Sequence, residues 1–458
     1  MSWTARPTAA LARLAGPIAV SMLSYSTMTL VGTLFVAHLG PASLAGVGLA
    51  GIANFGLICF AIGLFSGGKV LIAQAVGARD EAQARAYEST SLVAAAGLTV
   101  VLAGVGLGLA TILPHLTATS ASGLYAQSYL RIRLWGLPAV MLFCAFREGR
   151  YARGDSRLPM VASVSGNLVN LALDYLLIVR WKQGVPGAAV AALCGQLTEV
   201  MPLGAVYLLR GQRLAGVTWE RLRTLLKVGG PTGLQFLLEV GSFATVSITL
   251  AGLSDLEMST HQVVIQVVQF SFLPAIAMGE AVSVLSGQAV GAGRDEWVRG
   301  VARRGMWLAC LYAVLCSLAL VGSNSAIAAA FSDDLEVRSR VERVLWVAAA
   351  FQAVDAASII ARSALRGAGD VRFSATVGIL CTWILLPPLS WFLGVRMGLG
   401  ALGGWLGIYA EIVVVTTLYW IRLVSMRWLP VAQKLRARMV ADRKEGMTER
   451  PLRFALEE

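Results

Sequence analysis

Long apolar stretches alternate with short polar ones along nearly the whole chain. Twelve apolar runs can be marked, at 14–37, 44–68, 90–113, 125–146, 158–180, 186–209, 228–252, 262–286, 304–322, 342–363, 373–393 and 399–422. Each matches the roughly 20 residues that an α-helix needs to cross a hydrocarbon core of about 30 Å. Backbone in lipid must satisfy its own hydrogen bonds, which a helix does locally. Runs of Leu, Val, Ala and Gly without period-2 alternation exclude a transmembrane barrel. The pattern predicts an all-α polytopic membrane protein of twelve transmembrane helices.

Composition agrees with that reading. The 458 residues are 57% hydrophobic and 14% charged, against roughly 25% charged in soluble domains, and the mean hydropathy is +0.69. The first run follows Arg6 and Arg13 as a signal peptide would, yet it is too long and lacks a small-residue cleavage site. The six cysteines fall inside apolar runs without metal-ligand spacing, as small buried hydrophobes do.

An even number of spans returns the chain to its starting side, so basic residues should segregate by alternate loops. Of the 38 Lys and Arg, 29 fall on the side of the termini and eight on the other, with Lys69 left aside near the end of the second run. The positive-inside rule therefore predicts a multi-pass protein of the cell (inner) membrane with both termini cytoplasmic. The net charge of +12 becomes a topological signature with some attraction for anionic headgroups, and not a nucleic-acid footprint.

The chain also repeats itself. Gly16-Pro17 recurs in the second half as Gly230-Pro231, and Gln74-Ala75-Val76-Gly77-Ala78 recurs at the same offset as Gln288-Ala289-Val290-Gly291-Ala292. Arg153-Gly154-Asp155-Ser156-Arg157 likewise resembles the stretch from Arg366 to Arg372. Three matches in register imply two pseudo-symmetric six-helix bundles of the same topology, an arrangement in which transporters rock one lobe against the other. The expected organisation is an N-terminal lobe over 1–209, an amphipathic linker helix over 210–227, a C-terminal lobe over 228–422 and a solvated basic tail over 423–458.

Six carboxylates lie within the runs, away from their end residues: Asp174, Glu199, Glu239, Glu280, Asp355 and Glu411. Each costs roughly 2.5–3.5 kcal/mol if charged at a helix centre. No Arg or Lys lies deep enough to pair with most of them, since Arg131, Arg133 and Arg180 sit near outer ends. They must face water, bind a cation or hold a proton. Glu239 and Asp355, near the middle of runs seven and ten, can converge on one metal cation or a shared proton. Asp174 has Asn167 and Asn170 on preceding turns of its run. Glu199 and Glu411 hold near-equivalent places in the repeat. Lys69 and Glu280 occupy quasi-equivalent inner ends of runs two and eight, and are expected to form an ion pair that gates the lobes.

At this point the chain resembles the multidrug and toxic-compound extrusion (MATE) family. The resemblance runs from about Leu11 to Arg422 and rests on Phe35-Val36-Ala37-His38-Leu39-Gly40, the duplicated Gln-Ala-Val-Gly-Ala turns, Gly230-Pro231 followed by Glu239, His261-Gln262-Val263, and Gln352-Ala353-Val354-Asp355 leading to Leu365-Arg366-Gly367. It implies two bundles around an outward-facing cleft and exchange of Na+ or H+ for cationic, often aromatic compounds. It further implies that Glu239 and Asp355 form the cation-coupling site, and would hold Na+ if sodium is the ion, while Asn170 and Asp174 form a secondary polar site. Two departures stand out. Val31-Gly32-Thr33 lacks the aspartate of the family's Val-Asp-Thr motif, and Phe351 stands where sodium-coupled relatives carry a tyrosine.

The function expected from the chain is secondary active antiport of cationic, amphiphilic small molecules by a lipid-embedded monomer, with no cofactor, no nucleic-acid partner and no catalytic residues. The alternatives are export of an endogenous metabolite or flipping of a lipid-linked oligosaccharide. A flippase would need a cationic cavity, whereas these runs are rich in acids and nearly bare of Arg.

Overall fold

The structure, a computed structural model, describes residues 2–117, 119–331 and 334–448. The first half contains α1 (Pro7–Ala37), α2 (Pro41–Gly77), α3 (Glu81–Ile112), α4 (Ser120–Leu134), α5 (Leu137–Ala152), α6 (Arg157–Asp174) and α7 (Gly184–Leu209). The second contains α8 (Trp219–Ala251), α9 (Asp255–Gly291), α10 (Glu296–Gly322), α11 (Asn324–Phe331), α12 (Leu335–Ala368), α13 (Val371–Ile384), α14 (Leu386–Trp391), α15 (Gly400–Val424) and α16 (Leu429–Thr448). Among the described residues eleven helical stretches are long and apolar enough to cross a membrane, and α4 with α5, taken as one bent span, makes twelve.

Short polar residues start these helices by capping otherwise unpaired backbone N–H groups. Asp80 accepts from the Gln83 amide at 3.0 Å to open α3, and Ser254 accepts from that of Glu257 at 3.2 Å to open α9. The helices outrun the apolar runs that announce them. With 37 residues, α2 is roughly 55 Å long at about 1.5 Å per residue, so its polar end stays helical beyond the hydrocarbon. The fourth span, expected at 125–146, is bent by 52° between Leu134 and Leu137. Pro138 lies in the first turn of α5, where it has no N–H to continue the ladder of α4.

The duplication is visible in hydrogen bonds. At the end of α2, Ala78, Arg79 and Asp80 donate to the carbonyls of Gln74, Val76 and Ala75; at the end of α9, Ala292, Gly293 and Arg294 donate to those of Gln288, Val290 and Ala289. Arg79, at φ +60°, thus holds the left-handed position that Gly293 holds at φ +72°. The same is true of Gly154 and Gly369, each followed by an aspartate whose amide closes the turn. Both fifth spans also finish in a π-helical turn, Tyr175–Arg180 and Phe392–Arg396.

The chain forms two compact units: the described residues of Met1–Ala19 with Leu234–Ala437, and those of Val20–Gly233 with Arg438–Glu458. They differ from the contiguous lobes expected from the repeat by an exchange. α1 changes unit after Ala19 and α8 after Gly233, positions equivalent in the repeat, so the duplication extends to the point of exchange. In the second unit the start of α8 lies against α2 with almost no side chain between them. A Cβ on Gly63 would sit 2.4 Å from the Gly233 Cα, and one on Gly67 would sit 2.3 Å from the Gly229 Cα. Two Gly-x-x-x-Gly pairs meet here, the spacing that lets membrane helices approach by their backbones.

Two expectations for the connecting segments are corrected. Residues 210–227 do not form a separate surface helix, because the first part is non-helical and Trp219–Lys227 runs straight on into α8. The segment 423–458 is not simply solvated, since Trp428, just before α16, and Ala432 are buried in the first unit and Met439 and Asp442 in the second. Asp442 Oδ2 accepts from the Tyr87 hydroxyl at 2.8 Å and from Thr224 at 3.3 Å. The last ten residues of that segment lie outside the described residues.

Candidate functional site

In the first unit α8, α12, α13 and α15 bring a cluster of polar side chains together. Glu239, on α8, is its centre. Its Oε1 accepts from the Gln235 amide nitrogen at 2.7 Å, one turn earlier, and from Arg362 Nη1 at 2.9 Å. The oxygen of Gln235 in turn accepts from Arg366 Nη2 at 2.8 Å, and the Arg366 guanidinium lies 4.9 Å from the centre of the Phe236 ring. Asp355, on α12, is in the electrostatic field of both Arg362 and Glu239. Glu411, on α15, accepts from Thr382 at 3.2 Å and shares the same field.

Glycine makes room for this arrangement. A Cβ on Gly378 would lie 2.3 Å from Gln235 Nε2 and 2.8 Å from the Tyr419 hydroxyl, and that hydroxyl donates to the Ser374 carbonyl at 2.8 Å. Phe351 is buried and meets Trp405 edge-on at 6.1 Å, so the position of the missing tyrosine is apolar here.

The second unit is built differently. Asp174 closes α6 beside Gly32, where a Cβ would lie 3.4 Å from Asp174 Oδ2. Position 32, which lacks the expected acid, therefore borders the acid that remains. Asn167 donates to Ser24 at 3.0 Å, while Asn170 packs its Cβ against Gly195. Glu199 accepts from Ser163 at 3.3 Å. Tyr25 stands in the fields of Arg133 and Glu199, at the place in the repeat that Glu239 holds in the other half.

Lys69 is 1% exposed and pairs with Glu148 at 2.9 Å, and Arg147 reaches the same carboxylate at 2.9 Å. Glu280, on α9, is partly buried. Sequence reasoning missed Glu148 because its apolar run stops at 146 whereas α5 continues to Ala152. The expectation that arginine lies too shallow to meet the acids is likewise corrected by Arg362 and Arg366. Arg362 lies at the end of the apolar run of α12 and Arg366 just beyond it, on a helix that continues to Ala368, and both fall near the face that carries Asp355. The signal available in the sequence was spacing, since 355, 362 and 366 fall within about three helical turns and near one face. Among the described residues no group of three or more His, Cys, Asp or Glu is placed to hold a metal ion.

The family description MatE matches residues 17–176 and 231–392, two stretches that begin at Pro17 and Pro231, the equivalent prolines of the repeat. The chain belongs to the MatE family. MatE proteins are transporters and not enzymes, so the resemblance seen in the sequence is borne out. A probable multidrug resistance protein NorM of Pseudomonas putida is 29% identical over 426 residues, covering 87% of this chain and 90% of its own. The probable multidrug resistance protein YoeA of Bacillus subtilis is 27% identical over 417 residues, with coverages of 87% and 89%. Two solved structures show the likeness in fold. A MOP superfamily transporter from Pyrococcus furiosus, described by a reversed polarity of its binding pocket, has a TM-score of 0.86 at 22% identity over 93% of this chain and 96% of its own. The eukaryotic MATE transporter AtDTX14 has a TM-score of 0.85 at 20% identity, covering 95% of this chain and 99% of its own. The MatE fold is thus a multi-pass helical membrane structure made twice from one pattern.

Proposed function

We propose that this MatE protein is a secondary active antiporter that exports cationic, amphiphilic compounds in exchange for Na+ or H+. It does so as a single chain in the cell inner membrane with both termini cytoplasmic. The observation that carries the reading is the acid pair of the first unit, where Glu239 and Asp355, from different helices, act on each other electrostatically in a cluster made mainly of polar side chains. Carboxylates in such a place are rarely kept for packing alone. The multidrug resistance names of the relatives support the substrate class. The cation site is Glu239 and Asp355, with Asn170 and Asp174 as a secondary polar site. The pairing of Lys69 with Glu280 as a gate belongs to the same proposal.

In this mechanism cation binding at Glu239 and Asp355 and compound binding disfavour each other, a negative coupling that is reciprocal between ligands. The test is efflux of a fluorescent cationic dye from proteoliposomes under separately imposed Na+ and H+ gradients. One gradient should drive the dye, and Glu239→Gln should slow that movement at least tenfold. Wild-type dye movement that ignored both gradients would sink antiport. One observation favours a second reading, export of an endogenous anionic compound: Arg362 and Arg366 give this cluster two guanidinium groups where a purely acidic site was expected.

A further inference from the structure

An open alkali-cation site needs oxygen atoms free to turn toward the ion. In the cluster around Glu239 one carboxylate oxygen is already taken. Glu239 Oε1 already accepts from Arg362 and Gln235, and the Gln235 oxygen accepts from Arg366. The Glu239–Arg362 pair is at 2.9 Å with side chains only 24% and 22% exposed, where two charges act on each other more strongly than in water. Arg362 Nε has no hydrogen-bond partner among the described residues, so the guanidinium is held chiefly by one carboxylate.

The repeat makes the arrangement specific to this half. Gly154-Asp155 and Gly369-Asp370 close the same turn, which sets Arg147 against Arg362 and Glu148 against Ser363. Arg147 finds its carboxylate on the next residue, at 2.9 Å. Arg362 has a serine there, and it reaches across to α8 instead.

We propose that Arg362 is the resident cation of the first unit's site, so that an entering cation must compete with its guanidinium for Glu239. The residue therefore sets the affinity of the site and links its occupancy to a side-chain movement on α12. An ion approaching Glu239 Oε1 competes with the guanidinium of Arg362. The inference rests on the assignment of Glu239 and Asp355 as the cation site, but its test needs no transport.

The experiment is direct binding of radioactive Na+ to the purified full-length protein in nanodiscs, with thermal stabilisation by NaCl against choline chloride as the second readout. Wild type should bind Na+ weakly. Arg362→Gln should bind at least tenfold more tightly, and adding Glu239→Gln should abolish the gain. Arg362→Lys keeps the competing charge and should stay near wild type, which separates charge from disturbance of the fold. Equal Na+ affinity in wild type and Arg362→Gln, including no binding in either, would overturn the proposal, as would Arg362→Lys behaving like Arg362→Gln. Absence of gradient-driven dye efflux by wild type would count against antiport alone.

Discussion

The same arginine position does opposite things in the two halves. Arg147 spends its charge on Glu148, its neighbour, which also neutralises the buried Lys69. Arg362 faces Ser363 at the equivalent step and pairs with Glu239 on another helix. In the first cluster the Lys69 and Glu148 side chains are 1% and 5% exposed and Arg147 25%, while both members of the other pair are about a quarter exposed. A duplicated framework has buried the arginine's carboxylate in one copy and left it accessible in the other. Duplication preserves the helix face, and a single substitution beside the arginine decides where the charge goes.

The largest expected effect separates these two clusters. Glu148→Gln removes the buried carboxylate that Lys69 and Arg147 share and should cost about 3–5 kcal/mol of stability, read as a large fall in the thermal midpoint in detergent. Glu239→Gln should lower that midpoint far less while slowing efflux. If the two variants were equally destabilised, the distinction between a buried and an accessible carboxylate would fail.

Helix approach differs between the copies as well. Gly63 and Gly67 meet backbone, whereas their repeat equivalents are Ala277 and Ala281, both fully buried. Gly67→Val should destabilise by about 1–3 kcal/mol through overpacking, and Ala281→Gly by about 0.5–1 kcal/mol through helix propensity. Comparable losses from the two would mean that the close α2–α8 approach is not what the glycines serve.

The smallest effect concerns the repeated turn. Arg79 adopts a left-handed backbone that Gly293 adopts freely. Arg79→Gly should raise stability by up to about 1 kcal/mol, and Gly293→Arg should lower it by about 1–2 kcal/mol. Chemical denaturation of both variants checks this, and changes of the same sign would refute the equivalence of the turns.

Much of this protein can be read without coordinates, because lipid imposes rules that show in one dimension. Spans must stay apolar for the full thickness of the hydrocarbon core, and the duplicated turns keep one register between the halves, so the helical class, the repeat and the family were legible. So were Glu239 and Asp355, since a carboxylate stands out within an apolar run. Arg362, Arg366 and Glu148 were not, because they lie at or beyond the ends of the apolar runs on helices that continue past them, and apolarity says nothing about where a helix stops. The fate of the connecting segments was equally hidden: Trp219–Lys227 joins α8, and Asp442 of α16 is buried against Tyr87, an outcome set by contacts between distant stretches of chain.

The sequence by itself determined the number and kind of spans, the twofold repetition and the acids that cost most to bury, for these follow from transfer free energies summed along a segment. Only the tertiary structure decided which arginine meets which carboxylate and where each half begins, because pairing depends on helix length, face and crossing, and none of these is local.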